Sequence, residues 1–306
     1  DRGMFSIRDM PSCLSQGITT IIVGQDGFSE LPLINFFSKL QQTPVAVNVG
    51  TYVGHNTLRD SVLGDNFQRY ASPLEIEAMK KMLQQELEAG GLGLSTGLEY
   101  DPGIFSNEEE VMLLAKVAAD YRTRYASHIR SEDRYFWKAI DEILKIGAET
   151  KMPIHISHTK LAMKSIWGQS DKLIAKLDSA RASGIEVSSD IYPYPYWSST
   201  MTVLFPKRNF KDKDEAIFAL KELAPAEGIR IGSFSPDTTY VGKTLSDIAK
   251  LRKEEPAKTL MDLIAEVESA QGDESIIATS MEESDIRKIM QWPYTNICSD
   301  GSGVGR

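Results

Sequence analysis

Along the chain, short apolar runs that end on polar residues alternate with stretches of helical spacing. Ile18-Thr19-Thr20-Ile21-Ile22-Val23 is apolar on both faces, the pattern of a strand inside a parallel sheet. It runs into Gly24–Ser29, a turn with Asp26 at its centre, and a helix is expected before it over Arg8–Gln16. After a helical Leu33–Leu40, Val45–Val49 reads as the next strand, and Gly50–Arg59 as a polar loop carrying His55. Ser72-Pro73 opens a capped helix to Ala89, since serine accepts from the first free N–H groups and proline suits the first helical position.

Gly93–Gly97 gives another strand and turn, and Ser106–Glu109 begins a helix to about Tyr121. Two strands then end in histidines, Tyr125-Ala126-Ser127-His128 and Ile154-His155-Ile156-Ser157-His158, separated by a helix over about Arg134–Ile146. Ser170–Ser183 is helical and Ile185–Tyr192 extended. Alternation on this scale predicts βα units around a parallel sheet, a (β/α)8 barrel with its chemistry at the C-terminal ends of the strands. A doubly wound sheet fits the same rhythm, but its Gly-rich dinucleotide turn is absent.

From Phe205 to Ser275 the rhythm breaks, and residues 205–275 read as an insertion between barrel segments 1–204 and 276–306. Gly242-Lys243-Thr244 lacks the upstream glycine of a phosphate loop, which argues against nucleotide binding. The barrel is expected to resume with Ile276–Thr279, a helix Glu282–Met290 and a last strand within Thr295–Gly301 that ends on Asp300.

Composition narrows the function classes. With 306 residues, 42% hydrophobic and net charge −9, the chain can bury a large core but offers no basic block for nucleic acid or an anionic membrane. No apolar run approaches the length of a bilayer span. Cys13 and Cys298 form no CxxC pattern and point weakly to a reducing compartment, so a cytoplasmic location is favoured. The chain begins without Met and ends on the Gly-rich Gly301–Arg306, so it is expected to be a fragment, with any signal segment lying upstream.

Three of the four histidines fall between Arg124 and Lys160, and histidines ending adjacent strands are what a metal site at the mouth of a parallel barrel requires. Two buried histidines satisfied by polar neighbours is the competing reading. His155, by strand alternation, points away from His158 and is expected to pack beneath a helix or support the site from behind. Asp26 and Asp300 each precede a glycine, so both are also ordinary turn aspartates.

The ordered set Gly17-Ile18-Thr19-Thr20, Gly27-Phe28-Ser29, Gly93-Leu94-Ser95-Thr96-Gly97-Leu98, Tyr125–Arg130, Ile156–Lys160, Asp190-Ile191-Tyr192-Pro193-Tyr194 and Ser299-Asp300-Gly301 resembles the amidohydrolase superfamily. Within it, the set is most similar to the N-acyl-D-amino-acid deacylases, the D-aminoacylase group. The resemblance implies a (β/α)8 barrel of which this chain supplies strands two to eight, the first strand, with its His-x-His pair, lying upstream. It implies zinc, one or two ions or another divalent metal, held by Asp26, His128, His158 and Asp300. Asp26 stands where the family usually has a cysteine, and a carboxylate is a harder ligand than a thiolate.

Asp300 is further implied as the proton carrier, with Lys160, Tyr192 and Arg130 binding a small-molecule substrate and Arg59 another candidate cation. The implied reaction is hydrolysis of the linear amide of an N-acyl-D-amino acid. The alternatives are a cyclic amide hydrolase resembling dihydroorotase or hydantoinase, whose usual fourth-strand lysine Gly93–Thr96 does not offer, and a non-catalytic barrel binding an acylated small molecule. A homo-oligomer is compatible with everything above.

Overall fold

A computed structural model describes residues 3–301, so positions 302–306 of the Gly-rich end lie outside the described residues. Strands β1 (Thr20–Val23), β2 (Asn48–Thr51), β3 (Val53–Gly54), β4 (Gly93–Gly97), β5 (Arg124–His128), β6 (Ile154–Ile156) and β7 (Val187–Ile191) follow one another with helices between most of them. The chain then makes β8 (Tyr196–Ser199), β9 (Ile229–Phe234) and β10 (Glu274–Thr279) before returning as β11 (Thr295–Ile297).

The strands β3-β4-β5-β6-β7-β11 form a six-stranded sheet in that order, and β1 pairs with β2. Every pairing in these two sheets is parallel. Only Tyr52 separates β2 from β3, so the two sheets continue one another through a single residue. The result is an α/β protein built on a parallel sheet. None of its described helices is long and apolar enough to cross a membrane.

Local signals account for several elements. The helix Pro73–Glu88 is capped by Ser72, whose side chain accepts from Glu75 N–H while Glu75 reaches back to Ser72 N–H. Asn107 caps Glu108–Asp120 in the same way from one side. Several expectations change. Arg8–Gln16 yields only the short helix Pro11–Leu14, too few residues to offset the nucleation cost of a longer one. Val45–Val49 shifts to Asn48–Thr51, where β1 sets the register by pairing Thr20 with Asn48. His55 lies in no loop: it begins the helix His55–Leu63 and is fully buried.

Ile276–Thr279 is the largest difference. Instead of resuming the parallel sheet it is the middle strand of an antiparallel sheet, β8-β10-β9. Alternating burial along β9 and β10, with Ile229, Ile231, Ile276 and Ala278 inward, suits a sheet covered on one face. The antiparallel sheet spans Tyr196 to Thr279, and its buried residues belong to the same continuous core as Leu94, Tyr125, Ile156 and Val187.

Within that sheet Glu274 is largely buried. Met201 N–H donates to its Oε1 at 2.7 Å, and its Oε2 is buried without a partner. Desolvation pushes this carboxyl up to about 7 from an ordinary 4.5. A raised folded-state pKa favours the fold below the unfolded value and costs stability as pH rises through about 7. Glu274→Gln should therefore raise Tm at pH 8 by roughly 2 °C or more, with little gain at pH 4, as read by calorimetry. An equal change at both pH values would refute the burial argument.

Candidate metal-binding active site

The turn that carries Asp26 is pressed onto the end of β4. Gly24, Asp26 and Gly27 all have left-handed φ, at 79°, 53° and 81°. A Cβ on Gly97 would stand 2.0 Å from Asp26 O, and one on Gly27 2.2 Å from Asn56 Oδ1, so both positions require glycine. Gly27 N–H donates to Ser95 Oγ at 3.2 Å, and Ser95 Oγ donates to Gly24 O. These contacts place Asp26 over the histidine strands.

His128 ends β5 level with Gly97 of β4. His158 lies two residues beyond β6, held there because Asp190 Oδ1 accepts its backbone N–H. His158 has φ 36° and Asp300 φ 49°. With Asp26, three left-handed non-glycine residues thus gather at strand ends, a costly backbone pattern of the kind found at functional sites.

The side chains converge. His128 Nδ1 lies 3.1 Å from His158 Nε2, which lies 3.4 Å from Asp26 Oδ2. Asp26 Oδ1 is buried with no hydrogen-bond partner. Zinc bonds of about 2.0–2.1 Å at tetrahedral angles separate ligand atoms by roughly 3.3–3.5 Å. The observed spacings are close to that, and the unsatisfied oxygen is what a cation site leaves when only protein atoms are counted.

On the other ring nitrogens stand carboxylates. Glu99 Oε2 lies 3.0 Å from His128 Nε2, and Glu132 Oε1 lies 3.1 Å from His158 Nδ1. Lys160 Nζ donates to both Glu132 oxygens, at 2.6 and 2.7 Å, and lies 2.8 Å from His158 Nδ1. A carboxylate behind each ligating imidazole is the usual means of fixing its orientation at a metal.

A cleft lies beside this cluster, and its wall includes Glu99, His128, Glu132, Lys160 and Asp300, whereas Asp26 and His158 are not on it. The segment between β7 and β11 closes the far side with Trp197, Val203, Leu204 and Leu223.

No protein-family model matches the chain. It is 32% identical over 309 residues to N-acyl-D-glutamate deacylase of Alcaligenes xylosoxydans xylosoxydans, across 94% of this chain and 58% of that protein. With D-aminoacylase of the same organism it shares 28% identity over 324 residues, 98% of this chain and 61% of the relative. The crystal structure of N-acyl-D-glutamate deacylase from Bordetella bronchiseptica, complexed with zinc and a phosphonate mimic of the tetrahedral intermediate, superposes with a TM-score of 0.84. That match has 31% identity and covers 98% of this chain and 63% of the other. The chain belongs to the D-aminoacylase family of amidohydrolases. It spans about three fifths of the length of these relatives.

Within this family member, not every expected residue reaches the cleft. Arg59 is fully buried, bonded to Glu110 at 2.6 Å and to the Phe67 and Arg69 carbonyls, and His55 Nε2 meets the same Glu110 at 2.8 Å. Both are structural. Arg130 is likewise committed: it donates to both Glu142 oxygens and to Ser106 O, and it is absent from the cleft wall. Neither arginine stands on the cleft wall, which carries Lys160. His155 faces Ser188 at 2.8 Å and Asp190 at 2.9 Å, so it supports the residue that holds His158. Among the described residues Asp300 lines the cleft but belongs to neither convergent ligand cluster.

Two carboxylates escaped the sequence reading, Glu99 and Glu132. The available signal was position: each follows a strand end by a few residues, where side chains of such folds meet.

The electrostatics favour a cation. Burial opposes the charge on Asp26, but His158 beside it, His128 and Lys160 together outweigh this and hold the carboxyl below its usual range. Burial and Lys160 push His158 down, whereas Asp26 and Glu132 on its two sides hold it well above the ordinary imidazole range. Burial raises Asp300 and Glu99. Lys160 and Glu132 are both nearly fully buried, so removing one leaves the other's charge without its partner. Lys160→Met should cost about 3 kcal/mol or more, measured as a lower urea midpoint at unchanged m; wild-type stability would show that the pair is not held as a buried ion pair.

Proposed function

We propose that this chain forms the catalytic part of a zinc-dependent hydrolase that cleaves the linear amide of N-acyl-D-amino acids to a carboxylate and a free D-amino acid. The observation that carries the reading is the convergence of Asp26, His128 and His158 from three strand ends, with Asp26 Oδ1 unsatisfied, in a member of a family whose relatives act on such substrates. The seven parallel strand positions correspond to strands two to eight of a (β/α)8 barrel, with the antiparallel sheet inserted between strands seven and eight. Exposed apolar residues at both outer edges, Ile18 two residues before β1 at 40% and Ile297 on β11 at 58%, support a further strand between β1 and β11.

Asp26, His128 and His158 would hold zinc, with Asp300 available to a second ion. Bound there, zinc would supply Lewis acidity to an amide carbonyl and lower the pKa of water. Asp300, raised by burial, suits the remaining task of accepting a proton from the attacking water and delivering it to the leaving nitrogen. Lys160 presents the cleft's cation to the substrate carboxylate while Glu132 keeps it charged. Tyr192, buried with its ring centroid 5.5 Å from Lys160 Nζ, would donate its O–H to the developing oxyanion.

The small-molecule partner is then an N-acyl-D-amino acid, whose acyl or side chain lies against the apolar wall of the inserted segment. In the full-length protein, Asp300→Asn should retain stoichiometric zinc yet lose turnover by roughly 10²-fold or more; undiminished hydrolysis of N-acetyl-D-amino acids would remove Asp300 from the mechanism. Paired D and L substrates test the stereochemistry, and equal rates on both would defeat the assignment to D-amino acids.

A further inference from the structure

The steps above leave the Glu99 carboxylate without a role. It stands two residues beyond β4 and is fastened from two directions. Its Oε1 accepts from Glu132 N–H at 3.1 Å. Arg208, from the inserted segment, donates to Glu99 O at 2.7 Å and to Asp101 Oδ1 at 2.8 Å, while its other nitrogen donates to the Thr202 and Phe205 carbonyls. The remaining oxygen, Oε2, lies 3.0 Å from His128 Nε2.

A neutral imidazole carries one N–H, and the acceptor it faces decides which nitrogen bears it. Glu132 cannot be that acceptor for His128. Its nearest oxygen is 3.9 Å from Nε2, and both its oxygens receive Lys160 Nζ. Glu99 can, and a proton held on Nε2 leaves the Nδ1 lone pair facing His158 and Asp26. We propose that Glu99 is a positioning residue that selects the Nε2–H tautomer of His128 and thereby keeps Nδ1 as the metal-ligating atom. This rests on the reading of His128 as a metal ligand.

The geometry also explains why a carboxylate is needed. Both neighbours of Glu99 are donors, Glu132 N–H on one oxygen and His128 Nε2–H on the other. Glutamine is nearly isosteric but has a single acceptor. If its oxygen keeps Glu132 N–H, its NH2 meets His128 Nε2 and favours the opposite tautomer, with the proton on Nδ1 where the metal should bind. Glu99, His128 and Glu132 also offer atoms within 4.8 Å of one another, a spacing that would admit a cation. Lys160 already occupies Glu132, which argues for the hydrogen-bonded role.

The test compares full-length wild type and Glu99→Gln, with Glu99→Ala as a second variant that offers neither neighbour a group should the amide unsettle the loop. Zinc affinity is measured by chelator competition, and the His128 tautomer of the metal-free protein by 15N-histidine NMR. Affinity should fall about 10- to 100-fold in both variants, the His128 signals of Glu99→Gln should move toward Nδ1–H, and the metal-free Tm should stay within about 2 °C. Unchanged affinity and tautomer beside normal zinc binding in the wild type would overturn the proposal. So would loss of one metal equivalent with the rest bound as tightly as before, since Glu99 would then be a ligand itself. Wild-type protein that takes up no stoichiometric zinc would overturn the ligand assignment of His128, and this inference with it.

Discussion

The buried pair of Lys160 and Glu132 is the interaction on which the site depends. Two charges almost removed from water persist only with close partners, and here each oxygen of Glu132 receives the ammonium. That contact holds Glu132 ionised against its burial. An ionised Glu132 in turn faces Nδ1 of His158 and steadies the imidazole whose other nitrogen meets His128 and Asp26. Among the described residues the same lysine is the single Lys or Arg on the cleft wall, so support for His158 and a positive charge beside the cleft come from one side chain.

Around that pair the backbone accepts strain. His158, Asp26 and Asp300 adopt left-handed conformations that cost about 1–2 kcal/mol each. The cost at His158 is met from behind by Asp190, which binds its N–H and is held by His155 and, through it, Ser188. At Asp26 it is met by glycines on either side and by Ser95 below. The segment between β7 and β11 joins the arrangement, because Arg208 grips the loop after β4 and apolar residues from 197 to 223 form the far wall of the cleft.

Much of this was legible in the chain itself. The alternation of runs such as Tyr125–His128 and Ile154–His158 with capped helical stretches marked parallel strands ending in polar residues, because both faces of such strands are covered and their ends are where side chains meet. His128, His158 and Asp26 could be named from those ends, since strand termini are set by local pattern. Ile276–Thr279 could not be placed, because an apolar run of that length suits a parallel or an antiparallel strand equally, and its partners β8 and β9 lie about 80 and 45 residues earlier.

What the sequence determined by itself, then, was most of the parallel strands and capped helices and the polar residues at their strand ends, since periodicity, caps and turn glycines act over a few residues. Tertiary structure alone decided which charges stand beside the cleft. Arg59 and Arg130 read like Lys160 in one dimension, yet the folded chain buries the first against Glu110 and ties the second to Glu142. It also brought Glu99 and Glu132 behind the two histidines. A side chain's partner depends on distances across the fold, and these arise only when all the strands are in register.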